Sequence, residues 1–425
     1  LIKAYSKPYL IISLCLLFPA LAAVNTVKAQ DVVIKNLRVY ANNNSSALPV
    51  LVYDKNSRDG FLNVEFEAAN PTEPSLSIVF RFCDKNWNPY TNNSFLMNIG
   101  GDIAYNLPFV SLPVTNKETN YYYSGAFPDA EGYVDFPFSG KWRFYITESN
   151  DTSMVYADGK FYVVYNDYDI SVKLKNETLE GEVYYPADLG KVYRIDTKFR
   201  LPENLFPFNV DQVEIVENRR IESPYVADKT SNTSVRFFEW DGTKNFNFMI
   251  RDIHPGKEYR QTDLRNVNIF QGPDVMAQRD GIETSRFFQS AKKDFNGGSV
   301  QVSPRSDNAV YLNVEFKLRA PSEVSNDVFI VGDFNNWVVS PEYRMNNSGG
   351  LYTLTLNLKR GAYDYQYVTA DYDGDGGIYN ENWLQLEGNT WETTNVYHVF
   401  LYYADPDKGG YDRIIGFTKI YSGKK

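Results

Sequence analysis

The sequence predicts an all-β protein made of tandem Ig-like (E-set) β-sandwich domains with little helix. Three observations predict it. Aromatic residues make up 16% of the 425 residues, with 33 Tyr and 28 Phe, and such side chains pack well on a pleated surface. Short runs of alternating apolar and polar residues recur along the chain, whereas no long stretch carries a 3.6-residue period. Residues 61–87 and 311–337 repeat one pattern at a constant offset of 250 positions. Leu62-Asn63-Val64-Glu65-Phe66 returns as Leu312-Asn313-Val314-Glu315-Phe316, Pro71 and Glu73 as Pro321 and Glu323, and Asn86-Trp87 as Asn336-Trp337. A repeated strand, Pro-containing turn and strand-plus-Trp unit implies related β-domains.

Residues 1–29 read as a signal peptide. Lys3 and Lys7 supply the positive start, Leu10 to Ala23 the apolar run, and Val27 and Ala29 a small-residue cleavage site. Pro19 breaks the run, which is short for a membrane-spanning helix, and no second apolar stretch approaches spanning length. Leu14 before Cys15 departs from a lipobox, so Cys15 belongs to the apolar run and Cys83 is left as the lone cysteine. No intramolecular disulfide follows, which for an exported chain fits a bacterial envelope. Without the leader's three lysines, 40 basic residues face 53 acidic ones, a net charge of -13. That balance argues against nucleic-acid binding through phosphates and against docking on anionic lipid, both of which need a basic face. Strands separated by charged and Pro-rich turns, rather than evenly spaced lipid-facing segments, argue against a membrane β-barrel.

The elements then fall into three units. Residues 31–165 form an N-terminal sandwich, with strands expected at Val32 to Tyr40, Phe61 to Glu67, Leu76 to Phe82, Trp142 to Ile146 and Phe161 to Tyr165. Residues 166–298 form a middle β-rich domain, with alternation at Ile170 to Leu174, Val192 to Leu201 and Val210 to Val216. Residues 299–417 form a C-terminal sandwich, with strands at Val310 to Leu318, Leu351 to Leu358, Ala362 to Val368 and Val396 to Tyr403, and 418–425 is a tail.

Catalytic signatures are lacking. His254 and His398 lie far apart with no cysteine nearby, and neither a nucleophile elbow nor a phosphate or dinucleotide loop occurs. Asp371, Asp373 and Asp375 alternate with Gly376 at the sixth position, as at the start of a calcium loop, and make calcium the one cofactor to test. Asn382 stands where that loop needs a bidentate Glu, and the setting is a β-hairpin, so a solvated acidic turn is the competing reading. Gly332-Asp333-Phe334-Asn335-Asn336-Trp337 with Gly361-Ala362-Tyr363-Asp364-Tyr365 resembles the glycogen- and starch-binding sandwich modules. That resemblance implies a sugar platform at Trp337, extended by Trp383 and Trp391. Core packing of the same rings is the alternative, and Trp87 at the repeated position favours it.

Five further segments resemble the plug-protein family of the type IX secretion system, formerly a Bacteroidetes domain of unknown function. They are Cys83-Asp84-Lys85-Asn86-Trp87, Val216-Glu217-Asn218-Arg219-Arg220, Tyr259-Arg260 with Leu264-Arg265, Leu358 to Tyr365, and Leu386-Glu387-Gly388-Asn389 through Tyr411 to Gly416. Their order extends across nearly the whole chain beyond the leader, and Glu217 replaces the family's usual Gln. The resemblance implies a non-enzymatic periplasmic protein at the inner face of the outer membrane. Its partner would be a very large outer-membrane translocon barrel, whose periplasmic mouth it closes.

Overall fold

The computed structural model describes residues 32–53, 59–98, 100–179, 186–290 and 292–423; the expected leader lies outside them. Residues Val32–Lys425 form one compact unit. Its described elements are strands and short 3-10 turns, with no α-helix among them, and no helix long and apolar enough to cross a membrane. Six sheets pair into three sandwiches.

The first sandwich faces the sheet Val33–Ala41, Leu62–Ala69, Tyr121–Phe127, Val110–Ser111 against the sheet Val50–Tyr53, Val155–Tyr165, Gly140–Glu148, Leu76–Cys83, Ile103–Ala104. Alternation explains the core. Leu62, Val64 and Phe66 point inward to meet Ile78, Phe80, Phe82, Trp142 and Phe161, all essentially without exposure. The repeated pentapeptide does the same work in the third sandwich. There Leu312, Val314 and Phe316 meet Val328, Ile330, Tyr365 and Tyr367. The backbone of the repeat is also shared at its end, because Trp87 (φ 67°) and Trp337 (φ 61°) both take the left-handed conformation.

The second and third sandwiches are cut differently from the expected boundaries. Val210–Glu217 pairs not with a neighbour in sequence but with Val396–Asp405, which in turn pairs with Tyr411–Tyr421. The hairpin 396–421 therefore belongs to the middle sandwich, and the expected tail from 418 begins as strand. Conversely, Arg260–Asp263, Asp274–Met276 and Glu283–Thr284, expected in the middle domain, pair with strands of the third. Alternation reveals that a segment is a strand but carries no record of its partner, so a non-local pairing is invisible to it.

Each sandwich meets the other two through charged and polar side chains withdrawn from water. Between the first and third, Lys359 Nζ lies 2.7 Å from Glu67 Oε1, the two side chains 2% and 0% exposed. Thr119 and Tyr311 hydroxyls also donate to Glu67, at 2.6 and 3.1 Å. Between the first and second, Lys141 Nζ lies 2.7 Å from Glu214 Oε2, and Tyr162 donates to the other oxygen at 2.8 Å. Tyr162 stacks on Phe400 at 4.3 Å within an apolar cluster that includes Val164, Val216 and Ile414. Between the second and third, Arg219 Nε lies 2.8 Å from Asp333 Oδ1, and Asn218 donates to the Tyr259 hydroxyl at 3.1 Å.

Burial pushes the Lys359 ammonium below the usual lysine range although Glu67 opposes that shift, so desolvation outweighs the pairing. Breaking such a pair strands a buried charge, whereas removing both charges does not. Lys359→Met is expected to destabilise the protein by about 3–5 kcal/mol. Adding Glu67→Gln, which keeps an acceptor for Thr119 and Tyr311, is expected to restore most of that loss. Chemical denaturation of the two single variants and the double variant measures both effects.

Candidate functional site

The residues picked out as chemical candidates occupy three different settings. Asp371, Asp373 and Asp375 lie in the hairpin between Gly361–Tyr372 and Ile378–Asn382. Asp371 accepts from the amides of Asn326 (2.5 Å) and Asn380 (2.8 Å). Asp373 accepts from the backbone N–H of Asp375 and Gly377, each at 2.9 Å, and from Tyr379 at 3.1 Å. Asp373 ties the turn together and Asp371 links it to Asn326, and among the described residues no three His, Cys, Asp or Glu side chains gather into a metal cage. The spacing matches a calcium loop, but in this hairpin oxygens of Asp371 and Asp373 accept hydrogen bonds from protein groups, as in the competing reading of an acidic turn.

The expected sugar platform is corrected. Trp337 is only 2% exposed; its ring lies 4.2 Å from that of Tyr259, and its Nε1 donates to the Gly297 carbonyl at 2.9 Å. A Cβ on Gly297 would come within 3.2 Å of the indole, so the glycine makes room for it. Trp391 packs on the middle core and donates to the Val192 carbonyl at 3.1 Å. Trp383 lies beneath the Arg220 guanidinium, 3.9 Å from ring centre to charge. Core packing won over stacking on sugar at Trp337, and the tryptophan at the repeated position also packs against its neighbours. Trp87 does so beside Tyr162, with the Lys141 ammonium 4.7 Å from its ring.

The structure brings the widely spaced sequence segments together at the junctions. Asp84 Oδ1 caps the turn through the N–H groups of Asn86 and Asn88, both at 2.8 Å. That turn presents Lys85 to Asp211 at 2.5 Å, while Asp412 accepts from the Lys85 N–H at 2.9 Å. Asn389 donates to the carbonyls of Asp188 and Lys191, both at 2.8 Å, and accepts from the Gly256 N–H at 2.9 Å. Arg413 bridges Asp405 and Asp167 at 3.0 and 2.7 Å. Within the third sandwich, buried Arg260 is held by Glu387 and Glu283, each at 2.8 Å, with Arg286 on the second oxygen of Glu387 at 2.9 Å. Arg360 is fixed by the carbonyls of Asn308, Leu264 and Phe270.

Sequence reasoning missed Glu67, Lys141 and Glu214, because alternation places them on the outward face of their strands. That face is covered by a neighbouring sandwich, so Val210–Glu217 is buried at every position. It also left His398 without a particular role. The ring is buried against Phe417, and burial lowers its pKa to about 3, so the imidazole stays neutral.

The middle and third sandwiches line an open cleft of about 320 Å³, with Glu217, Arg220, Tyr225, His254, Tyr259 and Trp383 among its walls. Close by, Asp294 and Asp364 brace the segment that carries Gly297. Asp364 accepts from the N–H of Phe295 (2.7 Å) and Gly297 (3.0 Å), and Asp294 from that of Asn296 (2.8 Å) and that of Tyr259. Burial lifts the Asp364 carboxyl to about 6. Burial, reinforced by the Asp364 charge, lifts Asp294 as well.

No family model matches the chain, and no curated protein matches it. A hypothetical protein from Parabacteroides merdae is similar in structure, with a TM-score of 0.71 over 91% of this chain and 97% of that one, at 17% identity. That likeness supports the all-β, multi-sheet fold. A 1.5-MDa bacterial ice-binding adhesin aligns over 93% of this chain and 98% of its own at 8% identity, with a TM-score of 0.14.

The raised carboxyls give a pH dependence of definite sign. An acid whose folded pKa exceeds its unfolded value, about 3.9, keeps a proton that the unfolded chain has lost. Its contribution is complete below that value and disappears as pH rises through the folded pKa, about 6 for Asp364. Asp364→Asn, neutral at every pH, is expected to flatten the fall in melting temperature between about pH 4 and pH 6. Thermal melts of both proteins across that range measure the difference.

Proposed function

We propose that this chain is a non-enzymatic periplasmic accessory protein that plugs the periplasmic opening of the type IX secretion outer-membrane translocon. The observation that carries this reading is the placement of the segments resembling the plug family. They lie apart in sequence, yet most of them meet at the junctions and fix three sandwiches as one block, through Lys85–Asp211, Arg219–Asp333 and Lys359–Glu67. A plug must fill a wide opening without deforming, and a single body with charged groups locked into its seams suits that task. It also needs a broad contact face, which for a non-obligate interface has an apolar centre and a polar rim. The exposed aromatic residues Phe95, Tyr105, Tyr133, Phe206 and Phe208 are candidates for that centre. The excess of acidic over basic residues, 53 against 43, suits a partner whose rim is basic.

The test is affinity purification of the tagged full-length protein from detergent-solubilised outer membranes of its native cells, read by mass spectrometry. Co-purification of a very large β-barrel of the type IX translocon class is the expected result. Recovery of the tagged protein without that barrel, from cells that make it, overturns the proposal.

A further inference from the structure

Four donors converge on one carboxylate oxygen where the first sandwich meets the third. Glu67 Oε2 accepts from the Thr119 hydroxyl at 2.6 Å, the Lys359 ammonium at 3.0 Å, the Tyr311 hydroxyl at 3.1 Å and the Asn116 amide at 3.3 Å. An oxygen with two lone pairs cannot serve four donors equally, so the groups are crowded together. The Asn116 amide also donates to the Thr119 hydroxyl at 2.7 Å, which fixes its position. Asn116 is the most exposed of Glu67, Asn116 and Lys359, at only 6%. A lysine and a carboxamide therefore stand side by side out of water, each bonded to the same glutamate oxygen.

That combination has a chemistry of its own. Burial drives the Lys359 ammonium towards the neutral amine, which is a nucleophile. Lys359 hands one proton to Glu67, and the free amine attacks Asn116 Cγ. The Glu118 N–H donates to Asn116 Oδ1 at 3.3 Å and polarises the carbonyl under attack. As the new C–N bond forms, a second lysine proton passes by way of Glu67 Oε2 to the old amide nitrogen, which breaks from Cγ and leaves as ammonia. Of the two protons that the lysine loses, one stays on Glu67 and one departs in the ammonia; nothing is oxidised or reduced. The product is a neutral amide, and the desolvation cost of two buried charges disappears with the charges. Proximity favours the step, and exclusion of water removes the competing nucleophile. The other buried pair, Lys141 with Glu214, lacks the electrophile: its hydrogen-bond partners are the Lys85 carbonyl and the Tyr162 and Tyr402 hydroxyls.

We propose that Lys359 and Asn116 condense into an isopeptide bond that ties the third sandwich to the first, with Glu67 relaying the protons. Freshly folded chain holds the ion pair, and the linked form accumulates from it. The inference is independent of the plug role, since it concerns a seam inside the body rather than the face offered to a partner.

Mass spectrometry of the full chain tests it, on protein taken fresh and after days at neutral pH, then unfolded and cut with trypsin. The expected product is a branched peptide joining Asn116 to Lys359, lighter by one ammonia than its two arms, with trypsin no longer cutting after Lys359. Peptides carrying Lys141 are expected to stay unbranched. Asn116→Ala removes the electrophile and Glu67→Gln removes the relay, and each is expected to abolish the branched peptide. Aged protein without that peptide, or with ammonia lost only from other peptides, overturns the proposal. A branch on Lys359 that persists in Asn116→Ala does the same. The unaltered chain decides the matter even where a variant fails to fold.

Discussion

The glutamate at position 67 sets the terms for the rest of the molecule. It stands on the outward face of a strand, where an isolated sandwich would leave it in water, yet its side chain has no exposure and its carboxylate meets a lysine from the other end of the chain. Glu214 repeats the arrangement with Lys141 at the next junction. Withdrawing these ions from water costs several kcal/mol each before pairing offsets it. What such pairs contribute is direction. An apolar face tolerates sliding, whereas an ammonium held by a carboxylate, with hydroxyls on the remaining lone pairs, accepts one relative placement. Three junctions of this kind close a ring of contacts in which no sandwich can shift without separating charges.

Much of the fold is legible in the sequence, and the parts that are not share one physical cause. Strands at Leu62–Ala69, Tyr311–Arg319 and Leu351–Lys359 are readable because one face is polar and the other apolar. The 250-residue repeat marks two sandwiches with the same inward residues and the same left-handed Trp. Strand partners are not encoded locally, which is why Val396–Asp405 falls in the middle sandwich instead of the third. Strands buried on both faces lose the polar signal altogether, so Glu214 resembles a surface residue in sequence. Trp337 and the Asp371 turn each allowed two readings. Their spacing matched binding motifs, but the ring packs against Tyr259 and bonds Gly297, and Asp373 bonds its own turn.

The same view explains the segments that resemble the plug family. Their residues are charged or amide side chains that bond across seams, often to backbone carbonyls far away in sequence, as Asn389 does to Asp188 and Lys191. Such residues are constrained by geometry on both partners, which makes them conspicuous in sequence without any chemistry at a reacting centre. Rigidity of the whole body is then the property these residues supply.

Whether the three sandwiches behave as one body is the claim on which this reading depends. Differential scanning calorimetry of the full chain, compared at several scan rates, measures it most directly. Proteins of this length commonly unfold in steps, domain by domain. One transition with calorimetric and van't Hoff enthalpies in a ratio of about 1 is expected if the buried charges couple the junctions. Two or three resolved transitions would contradict it, because the sandwiches would then be separable units joined only by chain.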